Sequence, residues 1–284
     1  MSQVKIGIQA MMIKNSFVEI GPYESLKKIS ELGYSVAELS QVPMDQNSVL
    51  EMKRACKDFN MEIAAISGNL EFKDPTREAL NTTLDKFIGD CKLLNCNYIR
   101  IGMLPYSCLA TKDTLLEFCR EAEKVAVELE KHGIKLYYHN HHFEMQKLDG
   151  QTILEIIEQT APHLGFELDV HWLQRGGLNP IDAITHFNGK VDLLHLKDYR
   201  IKNIPREICE QSDYRVFSEY FDHCIEFAEF GEGNLNMQGI IAAGIDAGCK
   251  YFLIEQDNSY DKTPYESLGI TITNLKKMGY SKFL

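Results

Sequence analysis

A chain of 284 residues, 44% of them hydrophobic and 25% charged, has the balance of a globular protein with enough apolar side chains for one large core or two modest ones, which excludes a disordered chain. Its 41 acidic against 30 basic residues leave a formal charge of -11, a field that repels nucleic acid and anionic membranes unless a basic patch overrides it, and the sequence has no such patch. The first strand-like run begins at Val4 with no basic leader, long apolar segment or small-residue cleavage site before it, so a cytoplasmic location is expected.

In chain order, short β-branched or aromatic runs alternate with amphipathic stretches of helical length. Strands are predicted at VKIGIQ (residues 4–9), SVAEL (35–39), EIAAIS (62–67), YIRIGM (98–103), KLYYHN (135–140), LGFELDV (164–170), VDLLHLK (191–197) and KYFLIEQ (250–256). Most are apolar nearly throughout, as in a parallel sheet buried on both faces. Leu32-Gly33, His132-Gly133 and Asp246-Ala247-Gly248 read as helix ends, and residues 114–131 carry Leu115, Phe118, Ala122, Val125 and Leu129 on one stripe. Eight cysteines are scattered through the apparent helices with no C-x-x-C pair, so they are expected to be reduced packing residues.

Eight strand–helix units of about 35 residues each suit a single α/β domain, a (β/α)8 TIM barrel over residues 1–284. A doubly wound open sheet would want a glycine-rich phosphate turn after the first strand, and residues 9–14 contain no glycine. The irregular interval is an insertion after strand 7, residues 199–230, and a loop of that length is usually functional. The spacing of Phe217, Tyr220, Phe221, Cys224 and Phe227 predicts one face of a helix. That helix is expected to cover the mouth of the site and pack on the barrel top; the other way to bury the aromatics is an interface with a second copy in a homo-oligomer.

In such a barrel the C-terminal strand ends face the active site. Strand 5 runs into His139, Asn140, His141, His142 and Glu144, strand 6 into Glu167, Asp169, His171 and Trp172, strand 7 into His195, Lys197 and Asp198, and strand 8 into Glu255, Gln256 and Asp257. Each offers metal-ligand residue types, and a buried carboxylate needs a compensating partner that a divalent cation supplies. A lone His or Asp at a strand end is more often a hydrogen-bonded polar group than a ligand; four successive ends reverse that expectation. His142 reads as a loop residue, the role of Glu167 stays open, and His163, His186 and His223 read as surface residues. Trp172 is expected in the core or as a wall for a sugar ring.

The motifs YHNHHFE, ELDVHWLQRGG, LLHLKDY, FGEGNLN and FLIEQD, in that order at those strand ends, make the whole chain resemble the sugar phosphate isomerase/epimerase superfamily with its xylose isomerase-like barrel. That superfamily also includes inosose dehydratases, ketose 3-epimerases and endonuclease IV. The resemblance implies one divalent metal held by Glu, Asp, His and Glu from strands 5 to 8. Asp169, His195 and Glu255 match the last three, and the 26-residue step from Asp169 to His195 resembles the family spacing. For the first, Glu144 is chosen, with His139 or His141 as substitute ligand or substrate contact. One histidine and three carboxylates favour Mn2+ or Mg2+, with Zn2+ or Co2+ as further options. The endonuclease branch is disfavoured, since its three-zinc cluster needs histidines where this chain has Ser67, Gly68, Asn69, Gly102 and Met103.

The reaction so implied is isomerisation or epimerisation of a non-phosphorylated sugar or cyclitol ketone through an enediolate, with elimination of water or an aglycone as the alternative. Glu144 and Glu255 are the expected base and acid, and His171 is expected to hydrogen-bond the reacting oxygens. Lys197 adds positive charge at the oxyanion or else is a solvated lysine. A barrel that binds a sugar without turnover is the other class, against which the concentration of negative charge argues.

Overall fold

Eight parallel strands, β1 (Lys5–Gln9), β2 (Val36–Leu39), β3 (Glu62–Ser67), β4 (Tyr98–Ile101), β5 (Lys135–His139), β6 (Gly165–Asp169), β7 (Leu193–Leu196) and β8 (Tyr251–Ile254), close into a barrel. Strand β1 pairs with β8, Ile6 opposite Phe252, and so completes the ring. The computed structural model describes residues 4–74, 76–211 and 213–284. This is the α/β TIM barrel that the strand spacing predicts, each predicted run enclosing one strand. Among the described residues no helix is long and apolar enough to cross a membrane.

The period of two along each strand sorts the side chains into two populations. Outward-facing Ile6, Ile8, Ile99, Ile101, Phe166, Leu168, Leu194, Phe252 and Ile254 join the large apolar core beneath the surrounding helices. The barrel lumen holds Val36, Leu253, Tyr137 and Leu193 low down. Above them, on the same inward parity, come Glu38, Arg100, His139, Glu167, Asp169, His195 and Glu255, all buried. The lumen is therefore apolar at its base and charged toward its C-terminal mouth. Gly165 is required inside it, because a Cβ there would meet the Tyr137 ring.

The helices stop where backbone chemistry requires. Gly33 takes φ 105° at the end of Gly21–Leu32, and Gly133 and Gly248, at φ 73° and 79°, follow the helices Lys112–Glu130 and Met237–Asp246. Capping boxes at Thr152 and Thr263 start two others.

The insertion after β7 differs from the single helix predicted from its aromatics. Asp198–Ile201 and Ile225–Ala228 form an antiparallel hairpin, Tyr199 opposite Phe227, and its long loop contains the short helices Arg206–Glu210 and Tyr214–Asp222. Neither helix has a buried residue, and Cys224 and Phe227 lie beyond the helix that was expected to carry them. The three-to-four spacing is real only over Phe217, Tyr220 and Phe221; Phe227 follows the two-residue alternation of a strand. Of the predicted face, Phe217 and Tyr220 are half-buried and Phe221 is exposed.

Candidate metal centre and active site

Four donors from four strand ends converge at the mouth. His139, Asp169, His195 and Glu255 each present a ligand-type atom within 4.8 Å of the others, and all four are buried. Register accounts for this: Asp169 lies directly opposite His195 on neighbouring strands, and His139 opposite Glu167. His195 Nδ1 is 2.6 Å from Glu255 Oε2 and 4.0 Å from Asp169 Oδ2. Gln9 Nε2 donates to the other Glu255 oxygen at 3.2 Å.

Of the predicted strand-5 ligands, the structure brings His139 into this group and leaves Glu144 out. Glu144 is buried, but its Oε1 accepts the Tyr138 hydroxyl at 2.5 Å and its Oε2 the His141 amide at 2.8 Å. Both oxygens are thus committed to holding the turn after β5, and neither is turned to a cation or a substrate. The donor set becomes two imidazoles and two carboxylates instead of one imidazole and three carboxylates.

Asp169 illustrates how backbone chemistry aims a donor. Its own amide is fixed by Asn140 Oδ1 at 3.0 Å, and its Oδ1 caps the helix Val170–Arg175 by accepting from the Trp172 amide at 3.1 Å. Its Oδ2 is buried without a hydrogen-bond partner, as is His139 Nδ1. Buried polar atoms normally find partners, so orphans beside converging donors fit a cation. Burial raises the Asp169 carboxyl to about 6, against the pull of Lys197. Burial and the neighbouring His195 and Arg100 hold His139 neutral, well below the usual imidazole range, which leaves a lone pair available.

Lys197 is no solvated strand-end lysine: it is 2% exposed. Its Nζ lies 3.4 Å from Asp169, 3.2 Å from Glu255 and 2.9 Å from Asp257. Burial alone would lower its pKa, but these carboxylates raise it, and it is held as a cation. Glu255 is the mirror case: burial opposes ionisation, yet Lys197 and His195 hold its carboxyl well below the usual range.

An aromatic cluster flanks Lys197. Lys197 Nζ lies 5.0 Å from the Trp172 ring centroid and 5.6 Å from that of Phe227, within cation–π range. His171 packs 4.6 Å from Trp172, 5.2 Å from Tyr199 and 5.0 Å from Phe227, with neither ring nitrogen partnered. Burial and Lys197 lower its pKa to about 3. His142, read from sequence as a plain loop residue, stacks on Trp172 at 5.0 Å. The hairpin strand that supplies Phe227 is anchored by Asp198, whose carboxylate accepts from the amides of Gly231, Gly233 and Leu235 at 3.1, 3.1 and 3.2 Å. A cavity of about 1140 Å³ opens above, with Gln9, His139, Lys197, Glu255 and Asp257 among its lining residues.

The residues that sequence reasoning missed lie on strands 1 to 4. Gln9 touches Glu255, and Glu38 of β2 pairs with Arg100 of β4. Arg100 and His195 lower the Glu38 carboxyl to about 2 despite burial, whereas burial and the adjacent Glu38 push Glu167 up to about 8. Glu167 shares the inward parity of Asp169, two residues on. The available signal was a charged residue at an inward position of an otherwise apolar strand, as in VAEL and YIRI.

Comparison with known proteins follows the same lines. A family model described as xylose isomerase-like TIM barrel matches residues 26–271. A sugar phosphate isomerase/epimerase from Parabacteroides distasonis superposes with a TM-score of 0.75 at 16% identity, over 99% of this chain and 96% of that one. L-ribulose 3-epimerase gives 0.68 at 15%, over 99% and 95%. The 3-keto-D-glucoside 4-epimerase YcjR from E. coli gives 0.65 at 14%, over 97% and 100%. At these identities the likeness is one of fold. No curated protein matches the chain.

Proposed function

The chain belongs to the xylose isomerase-like TIM barrel family, and on that premise we propose that it is a divalent-metal-dependent isomerase or epimerase of a non-phosphorylated keto-sugar or cyclitol ketone. The observation that carries this reading is the convergence of His139, Asp169, His195 and Glu255 within 4.8 Å, with Asp169 Oδ2 buried and without a hydrogen bond. Mixed imidazole and carboxylate donors suit Mn2+, Co2+ or Zn2+ better than Mg2+, which prefers an all-oxygen shell. When bound, such a cation polarises a carbonyl and its neighbouring hydroxyl and so stabilises the anion left by loss of the intervening proton.

The chain's own residues supply the rest. Glu255, kept ionised by Lys197 and His195, is the proton acceptor at the carbon next to the carbonyl. Lys197, a buried cation beside Glu255, holds positive charge where the substrate oxygen becomes anionic. His171 presents free ring nitrogens to substrate hydroxyls, and Trp172 and Phe227 offer apolar faces to a sugar ring. Glu144 acts on the Tyr138 and His141 segment as a support, not on the proton.

Two measurements test the reading. Metal titration should give one Mn2+ or Zn2+ per chain. Incubation of the loaded protein with a keto-sugar and inosose panel in D2O should then place deuterium at a carbon next to the carbonyl, seen by NMR and mass spectrometry. Stoichiometric metal with no exchange from any substrate would instead leave a sugar-binding barrel. Exchange accompanied by loss of water would move the activity to the dehydratase class.

A further inference from the structure

Below the four converging donors lies a charged layer that the proposed chemistry does not use. Arg100 Nε donates to Glu38 Oε1 at 2.8 Å and lies 3.3 Å from Glu167 Oε2, while its Nη2 donates to Ser40 Oγ at 2.9 Å. The remaining oxygen of each carboxylate faces His195: Glu38 Oε2 and Glu167 Oε1 are each 3.2 Å from Nε2. Of the two, Glu38 has hydrogen-bond geometry, whereas the Glu167 oxygens make ion-pair contacts only, without a hydrogen bond. All of these groups are buried.

Glu38, Glu167 and His195 bring their donor atoms within 4.8 Å of one another, close enough to suggest a second cation. The Arg100 guanidinium already supplies a fixed positive charge to both carboxylates, and it cannot be deprotonated in a protein. The layer is thus complete without a second ion.

We infer that Glu38, clamped by Arg100, is a positioning residue for the metal centre: it accepts the Nε2 proton of His195 and leaves Nδ1 as the lone-pair donor facing Asp169 and Glu255. The inference rests on the reading of His195 as a metal donor. An imidazole that binds a cation through one nitrogen keeps its single proton on the other, and the hydrogen bond made there fixes the ring. Two sites compete here. Glu255 Oε2, 2.6 Å from Nδ1, would draw the proton to the metal-facing side. Glu38, held from below by Arg100 and unable to swing away, draws it to the other. Arg100 therefore acts at one remove, through Glu38.

The test compares Glu38→Leu/Arg100→Met, which removes the ion pair as a unit and leaves no lone buried guanidinium, with Glu38→Gln, which keeps an acceptor oxygen. Histidine-selective 15N labelling of the Zn2+-loaded full chain, with His195 assigned by difference from His195→Gln, should show a ring bound through Nδ1 and protonated at Nε2 in the native protein and in Glu38→Gln. The double variant should lose that fixed tautomer, and its Mn2+ dissociation constant should rise about 10- to 100-fold, with Glu38→Gln staying within about threefold of native. An Nδ1-protonated native ring, or a double variant that keeps both the native tautomer and the native Mn2+ affinity, would overturn the inference. If the double variant does not fold, Glu38→Met carries the same comparison, because Glu167 still partners Arg100. Should the native protein bind no divalent metal, the proposed function fails and this inference with it, whereas native metal binding that the double variant keeps unchanged sinks the inference alone.

Discussion

The two ends of the barrel handle their ionisable side chains in opposite ways. At the N-terminal rim, Lys5 pairs with Glu62, Lys135 with Asp192 at 3.0 Å, and the hydroxyls of Tyr251 and Tyr137 donate to Glu62 and Asp192. At the C-terminal end, among the described residues, lie all the buried side-chain nitrogens and oxygens without a hydrogen-bond partner, on Ser67, His139, His141, His142, Glu167, Asp169, His171 and Trp172. Such groups cost stability, and a fold tolerates them where a ligand completes them. One rim is built for stability and the other for chemistry, a division expected of this architecture.

The strongest way to break that contrast is to remove a donor at the mouth. His195→Ala or Asp169→Asn should lower Mn2+ affinity at least about 100-fold by calorimetric titration. The metal-free melting temperature should hold in Asp169→Asn, whose raised carboxyl is disfavoured by burial, and should fall in His195→Ala, which strands the buried Glu38 and Glu255. A variant that binds metal normally, or a metal-free chain that unfolds, would erase the distinction.

His139 and Glu144 sharpen it within one loop. His139→Ala should weaken Mn2+ binding about 10-fold or more. Glu144→Gln should change it less, because both Glu144 oxygens are engaged by Tyr138 and His141. This reverses the order expected from the sequence, where Glu144 is the preferred ligand, and the same titration on the two variants decides it.

At the opposite rim, Asp192→Ala strips the acceptor from the buried Tyr137 hydroxyl. It should cost about 1–3 kcal/mol in denaturant unfolding while Mn2+ affinity stays within about twofold of native. A loss of affinity comparable to that of His139→Ala would show that the rims are coupled.

The insertion offers the smallest effects. Phe227→Ala removes part of the aromatic cluster beside His171 and Lys197 and should raise KM several-fold, about 1 kcal/mol of lost contact, without altering metal affinity. Phe217→Ser combined with Phe221→Ser should leave kcat and KM within about twofold, because the helix that bears them has no buried residue. Light scattering on that double variant reports separately whether the exposed face holds two copies together.

Strand order was legible in the sequence because it depends on local period: eight apolar runs separated by amphipathic stretches admit few topologies. So was the sector of the barrel that carries the donors, since His139, Asp169, His195 and Glu255 each stand at or just past the end of an apolar run. Spacing could not choose between His139 and Glu144. That choice turns on whether a side chain points into the lumen or is held by a neighbour, here the Tyr138 hydroxyl. Nor could it join Glu38 to Arg100 and His195, which lie 62 and 157 residues away in sequence. Only closure of the barrel puts inward positions of strands 2, 4, 6 and 7 into one charged layer. The aromatic spacing of the insertion fits a helix and a strand almost equally well, and the pairing of Tyr199 with Phe227 made the second half a strand. Local period depends on neighbours along the chain, whereas proton position and donor identity depend on neighbours across the lumen, which exist only once the ring has closed.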